Sequence, residues 1–79
     1  MKELERRVAE GRRQITCGER PVYHVQTRHD GVAVDVRIAE LPLVHLFVPD
    51  ESSALEGARG LIARTLGVDP SAFEVEPEP

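Results

Sequence analysis

The sequence predicts a small α+β domain: an N-terminal helix, a three-stranded antiparallel meander, a packing helix and a short fourth strand. Three observations carry this reading. Val22 to Ile38 (VYHVQTRHDGVAVDVRI) alternates in character on both sides of Asp30-Gly31, the signature of a β-hairpin. Ala54, Leu55, Ala58, Leu61, Ile62, Thr65 and Leu66 recur at helical spacing. Phe73 and Val75 then alternate with acidic residues, as in a half-buried strand.

Met1 to Arg13 has helix-forming composition, with Glu3/Arg7 and Arg6/Glu10 spaced as helical ion pairs. Its apolar stripe is narrow, consisting of Leu4, Val8 and, past Gly11, Ile15. Such a stripe cannot fix a helix firmly, so the segment either frays or lies in a groove of the domain or of a partner chain. Thr16 to Pro21 reads as a loop, because Pro21 forces Arg20 out of helical geometry. Residues 1–20 are thus a helix and loop, and residues 21–76 the α/β domain.

A bend centred on Asp30 and Gly31 would pair His29 with Val32, Thr27 with Val34, Val25 with Val36 and Tyr23 with Ile38 on an apolar face. The opposite face would collect Arg28/Ala33, Gln26/Asp35 and His24/Arg37. Leu41-Pro42 marks a turn, and Leu43 to Val48, apolar except at His45, predicts a third strand buried on much of both faces. Pro49 stops that strand, and Asp50 stands where it can cap the following helix. Gly67 ends the helix, and Asp69-Pro70-Ser71 turns the chain. A right-handed crossover would place the fourth strand beside the first and parallel to it. Gly57, beside Ala54 and Ala58, predicts a close approach of the helix to the sheet, whereas Gly60 has no intramolecular reason. The acidic, proline-rich end predicts a disordered tail over residues 77–79.

Composition narrows the function classes. A chain of 79 residues with no Trp, one Tyr and two Phe has a thin core, which predicts burial against another chain, as a homo-oligomer and most simply a dimer. The 41% hydrophobic and 30% charged fractions place it among folded domains. Net charge is −4, and the acids concentrate in residues 50–79, where only Arg59 and Arg64 oppose seven acids. That half would repel a phosphate backbone, which argues against nucleic-acid binding. Cys17 is the only cysteine, no apolar run is long enough for a membrane span, and the charged start lacks a signal-peptide core. The cytoplasm is the expected compartment.

No catalytic constellation emerges. His24 and His29 fall on opposite hairpin faces, so a shared metal is not expected, and His45 between Val44 and Leu46 reads as a buried or interface imidazole. Cys17, His24 and Asp35 supply the residue types of a thiol-based catalytic site without any local signature. Asp30 belongs to the turn, and Gly57 and Gly60 lie inside a helix rather than in a phosphate loop. The chain therefore reads as a non-enzyme without cofactors. Its candidate interaction surface is the polar hairpin face, His24, Gln26, Arg28, Asp35 and Arg37, together with Leu4 and Val8 of the first helix.

Tyr23, the Asp30-Gly31 turn, the Leu41-Pro42 step, the capped helix ALEGARGLIARTL and the closing AFEVE resemble the HicB family of antitoxin-like proteins over roughly residues 22–76. The resemblance implies a truncated ribonuclease H-like fold without nuclease activity, self-association, and binding of a small toxin that cleaves messenger RNA. Leu43 stands where the family often has Gly. No helix-turn-helix or ribbon-helix-helix module follows the fourth strand, so DNA binding is not expected. The same element order also resembles double-stranded RNA-binding domains. Those meet phosphates with lysines at the start of the last helix, where this chain has Asp50, Glu51, Ser52 and Ser53.

Overall fold

A computed structural model describes residues 2–78. In chain order the elements are α1 (Glu3–Thr16), β1 (Val22–Asp30), β2 (Ala33–Ile38), β3 (His45–Val48), a single 3₁₀ turn (Glu51–Ser53), α2 (Ala54–Leu66) and β4 (Glu74–Pro77). The strands form one mixed sheet ordered β3-β2-β1-β4, antiparallel except for the parallel β1–β4 pair. The fold is therefore the expected α+β arrangement, with α2 serving as the crossover.

The hairpin bend falls one residue later than expected. Asp30 pairs with Ala33, leaving Gly31-Val32 as the two-residue loop, and the ladder runs His29↔Val34, Arg28↔Asp35, Thr27↔Val36, Gln26↔Arg37 and Val25↔Ile38. The reason is conformational. A bend centred on Asp30-Gly31 in the I′ form needs positive φ at Asp30, whereas the observed bend needs it only at Gly31, whose φ is 65°. Moving the bend by one residue moves every partner by two, so each side chain keeps its expected face. Val32 is the exception: it loses its pairing with His29 and stands 98% exposed at the tip.

The apolar face of the sheet is covered by α2. Ala54, Ala58, Ile62 and Leu66 are buried on it against Tyr23, Val25, Val34, Val36 and Ile38. Gly57 makes the close approach its position suggested, since a Cβ there would lie 3.0 Å from Val48 Cγ1. Asp50 accepts the Ser53 N–H at 3.0 Å and so caps the 3₁₀ turn that leads into α2. At the far end Gly67, φ 69°, closes the helix with a hydrogen bond to Ala63 O. Phe73 is fully buried, edge-on to Tyr23 with ring centroids 5.8 Å apart.

α1 runs three residues past its expected end and through Gly11, because Gly11 is a contact site. It is buried, and a Cβ there would overlap the Tyr23 hydroxyl and lie 3.3 Å from Leu66. Arg12 Nε also donates to Leu66 O at 2.5 Å, placing a cation on the last turn of α2. Leu4, Val8 and Ile15 are half-buried against the core. The first helix thus docks on its own chain, beside α2. Its ion pairs differ in part from those expected: Glu3 takes both Arg6 and Arg7, and Glu10 pairs with Arg13.

Two other expectations are corrected. The third strand is only His45–Val48 and is buried on one face, with Phe47 55% and Leu43 89% exposed. Leu43 sits at φ 69°, a left-handed conformation that costs a leucine roughly 1–2 kcal/mol. The end of the chain is ordered further than expected: Pro77 belongs to β4, and the Glu78 N–H donates to Val25 O at 2.9 Å. Pro79, the last residue of the expected tail, lies outside the described residues.

The same substitution at two helical glycines should have opposite effects. Gly11→Ala should lower stability by about 1–2 kcal/mol, because the overlap with Tyr23 exceeds the helix-propensity gain. Gly60→Ala, whose nearest neighbour would be Arg64 Nη1 at 3.6 Å, should raise it by roughly 0.5–1 kcal/mol. Urea midpoints of the two variants check both signs.

Candidate interaction surface

Strand alternation turns odd-numbered β1 residues and even-numbered β2 residues to the helix side, where Tyr23 and Val25 are buried and Thr27 and His29 stay exposed, so their neighbours share the opposite face. That face carries His24, Gln26 and Arg28 from β1 and Asp35 and Arg37 from β2. In β3, Leu46 and Val48 point inward with Val36 and Val34, which puts His45 and Phe47 on the same outer face, opposite Arg37 and Asp35. β4 adds Glu74 and Glu76, beside Val22 and His24. With both helices on the apolar side, nothing among the described residues covers this surface.

Five of the seven expected interaction residues are therefore brought together. Leu4 and Val8 are not among them, because they pack into the core on the other side of the sheet. His45 was expected to be buried or at an interface, and Phe47 to be part of a strand buried on both faces; the structure puts both on the open face. The signal was present in the alternation of His45-Leu46-Phe47-Val48, which the nearly continuous apolar run obscured.

The centre of the face is built around Asp35, only 7% exposed and across from Arg28 rather than Gln26. Arg37 Nε donates to one carboxylate oxygen at 3.0 Å, and His45 Nδ1 lies 3.1 Å from the other. Burial pushes the Asp35 carboxyl up, but the hydrogen bonds from Arg37 and His45 outweigh it and hold it below the ordinary aspartate value. The Phe47 ring stands edge-on to His45, centroids 5.7 Å apart. Arg28 has no acidic partner within ion-pair distance among the described residues. Arg28, His29, Asp30, Asp35, Arg37 and Phe47 border a groove.

A second network closes the other end of the hairpin. Beyond the last β1–β2 pair, Glu40 accepts the His24 main-chain N–H at 2.8 Å and pairs with His24 Nδ1 at 2.5 Å. The hydrogen bond to Glu40, with that carboxylate's charge, raises the His24 pKa above the usual histidine value. The two networks have opposite pH signs. His24, raised in the folded state, adds stability that is complete below the ordinary histidine pKa and disappears as pH rises through its elevated value. Asp35, depressed, adds stability that is present above the ordinary aspartate pKa and is lost as pH falls through its folded value.

No three His, Cys, Asp or Glu residues converge to hold a metal among the described residues, and no helix there is long and apolar enough to cross a membrane. Titration of the histidine ring protons by NMR should find His24 above the ordinary value of 6.5, and Glu40→Gln should bring it back down. An unchanged midpoint in Glu40→Gln would remove that carboxylate as the cause. Against family models, curated proteins and solved structures alike, the chain finds no match.

Proposed function

We propose that this chain is a non-catalytic protein-interaction module of HicB-like type, working in the cytoplasm, which neutralises a small partner by covering its active surface with the open sheet face. The observation that carries the proposal is the exposed Phe47 ring beside the Asp35–Arg37–His45 network, on a sheet face that neither helix covers. An aromatic ring and arginines around a desolvated polar centre are the residue types that dominate binding energy at protein interfaces. The Leu41-Pro42-Leu43 bend also supports the reading. Leu43 holds the positive φ that glycine suits, at the position where the resembling family often has Gly.

The resemblance supplies the class of partner, a small toxin that cleaves messenger RNA. Self-association, expected from the thin core, would bury the same face. The RNA-binding alternative has weaker support: Asp50 and Glu51 stand where α2 begins, and Asp50 is occupied as a cap.

The test is binding of a small toxin that cleaves messenger RNA, taken from the reading frame next to this chain's gene if that frame encodes one, measured by calorimetry with the wild type, Phe47→Ala and Arg28→Glu. Each variant should weaken binding about tenfold or more, corresponding to about 1.4 kcal/mol, with the fold unchanged by circular dichroism. Undiminished binding by both variants would dismiss the open face as the site. Dimers in sedimentation that dissociate in the same variants would assign the face to a second copy, and salt-dependent retention of double-stranded RNA would favour the RNA-binding class.

A further inference from the structure

β1 is longer than the strand beside it. β4 pairs only with Val22 to Val25, while β1 continues to Asp30. In an antiparallel hairpin closed at Asp30↔Ala33, alternate residues exchange main-chain hydrogen bonds with β2, and the Ala39 N–H to His24 O bond fixes these as the even-numbered ones. The odd-numbered residues therefore direct their N–H and C=O the other way. Val25 O receives the Glu78 N–H, and beyond that bond Thr27 and His29 have no strand beside them among the described residues. Among the described residues, four strong hydrogen-bonding groups are left in a row on an exposed edge.

The space next to this edge has a shape. On the helix side, Val25, Thr27, Ala54, Leu55, Pro77, Glu51 and Glu78 enclose a groove of about 240 Å³. Its lining is apolar at Val25, Ala54, Pro77 and Leu55, which is 43% exposed, and acidic at Glu78 and Glu51, whose exposed carboxylate lies 3.2 Å from His29 Nε2 and would exchange that partner for a guest's cation. The opposite edge of the sheet differs, since β3 is only four residues long and Pro49 follows it directly.

We infer that the free half of β1, Thr27 to Asp30, is a strand-addition site for a short extended peptide segment with an apolar side chain flanked on the same face by basic ones. The guest's main chain would complete the ladder at Thr27 and His29. Its apolar side chain would enter the groove beside Leu55, and the basic side chains two residues to either side would reach Glu51 and Glu78. Charge selects this occupant over a second copy, because two copies paired edge to edge would bring the Glu51 and Glu78 carboxylates of one against those of the other. The site is separate from the open face and stands whether or not that face binds a partner.

Amide hydrogen exchange and NMR titration test the inference on the intact chain, with acetyl-Lys-Thr-Val-Thr-Lys-amide as the probe. In the free protein, Thr27 and His29 amides should exchange at least tenfold faster than those of Gln26 and Arg28 after correction for intrinsic rates. The peptide should shift and protect Thr27 and His29 and move the Leu55 methyls. The same peptide with Glu for Lys, or N-methylated throughout, should do neither, and Leu55→Arg should abolish the response to the Lys peptide. Equal protection of Thr27 and Arg28 in the free protein would overturn the inference, as would equal binding of the Glu peptide or a Lys peptide without effect. Protection of Thr27 that rises with protein concentration alone would give the edge to a second copy and overturn the choice of occupant.

Discussion

The arrangement depends on a contact where one side chain is missing. Gly11 brings the backbone of α1 against the Tyr23 hydroxyl and Leu66, a spacing that any Cβ would prevent. Once α1 sits there, Leu4, Val8 and Ile15 have a core to join and Arg12 reaches the last turn of α2. Both helices then lie on the side of the sheet that buries Val25, Val34, Val36 and Ile38, and the other side stays open. A glycine inside a helix costs about 1 kcal/mol in an isolated segment. Here that cost is offset by the packing it allows, and an otherwise marginal helix with a narrow apolar stripe becomes part of the fold.

The open face follows from this as a consequence of topology. Residues that would be costly to bury, Arg28 and Arg37, stay in water, while Asp35 is lowered into the sheet only because Arg37 and His45 satisfy it. The result is a polar centre with an exposed aromatic ring beside it. The buried acid gives the strands β2 and β3 a shared, directional contact, and Glu40 does the same for the end of β1 through His24.

Much of this was readable in advance, and the failures have identifiable causes. Hairpin alternation assigned the β1 and β2 side chains to their correct faces, because a shift of two in pairing leaves parity untouched, although Thr27 and His29 lie beyond the core and are exposed; the bend itself was misplaced because Asp-Gly favours one turn and Gly at the first central position permits another. His24, Gln26, Arg28, Asp35 and Arg37 were found from parity alone. Phe47 was missed, and His45 was left between core and interface, because a short strand rich in apolar residues looks the same whether one face or both are buried. For Leu4 and Val8 the choice between a groove in the domain and one on a partner stayed open, because no sequence pattern reveals that Gly11 fits under a tyrosine more than ten residues away.

The most direct measurement of that contact is the nuclear Overhauser spectrum around the Tyr23 ring. The account predicts cross-peaks from the ring to the Gly11 α-protons, and from Gly11 to the Leu66 methyls, with helical shifts continuous through Thr16. Cross-peaks from α1 to Gln26, Arg37 or Phe47 instead, or random-coil shifts over Glu3 to Thr16, would contradict it, since the sheet face described as open would then be covered or the first helix would not be docked at all.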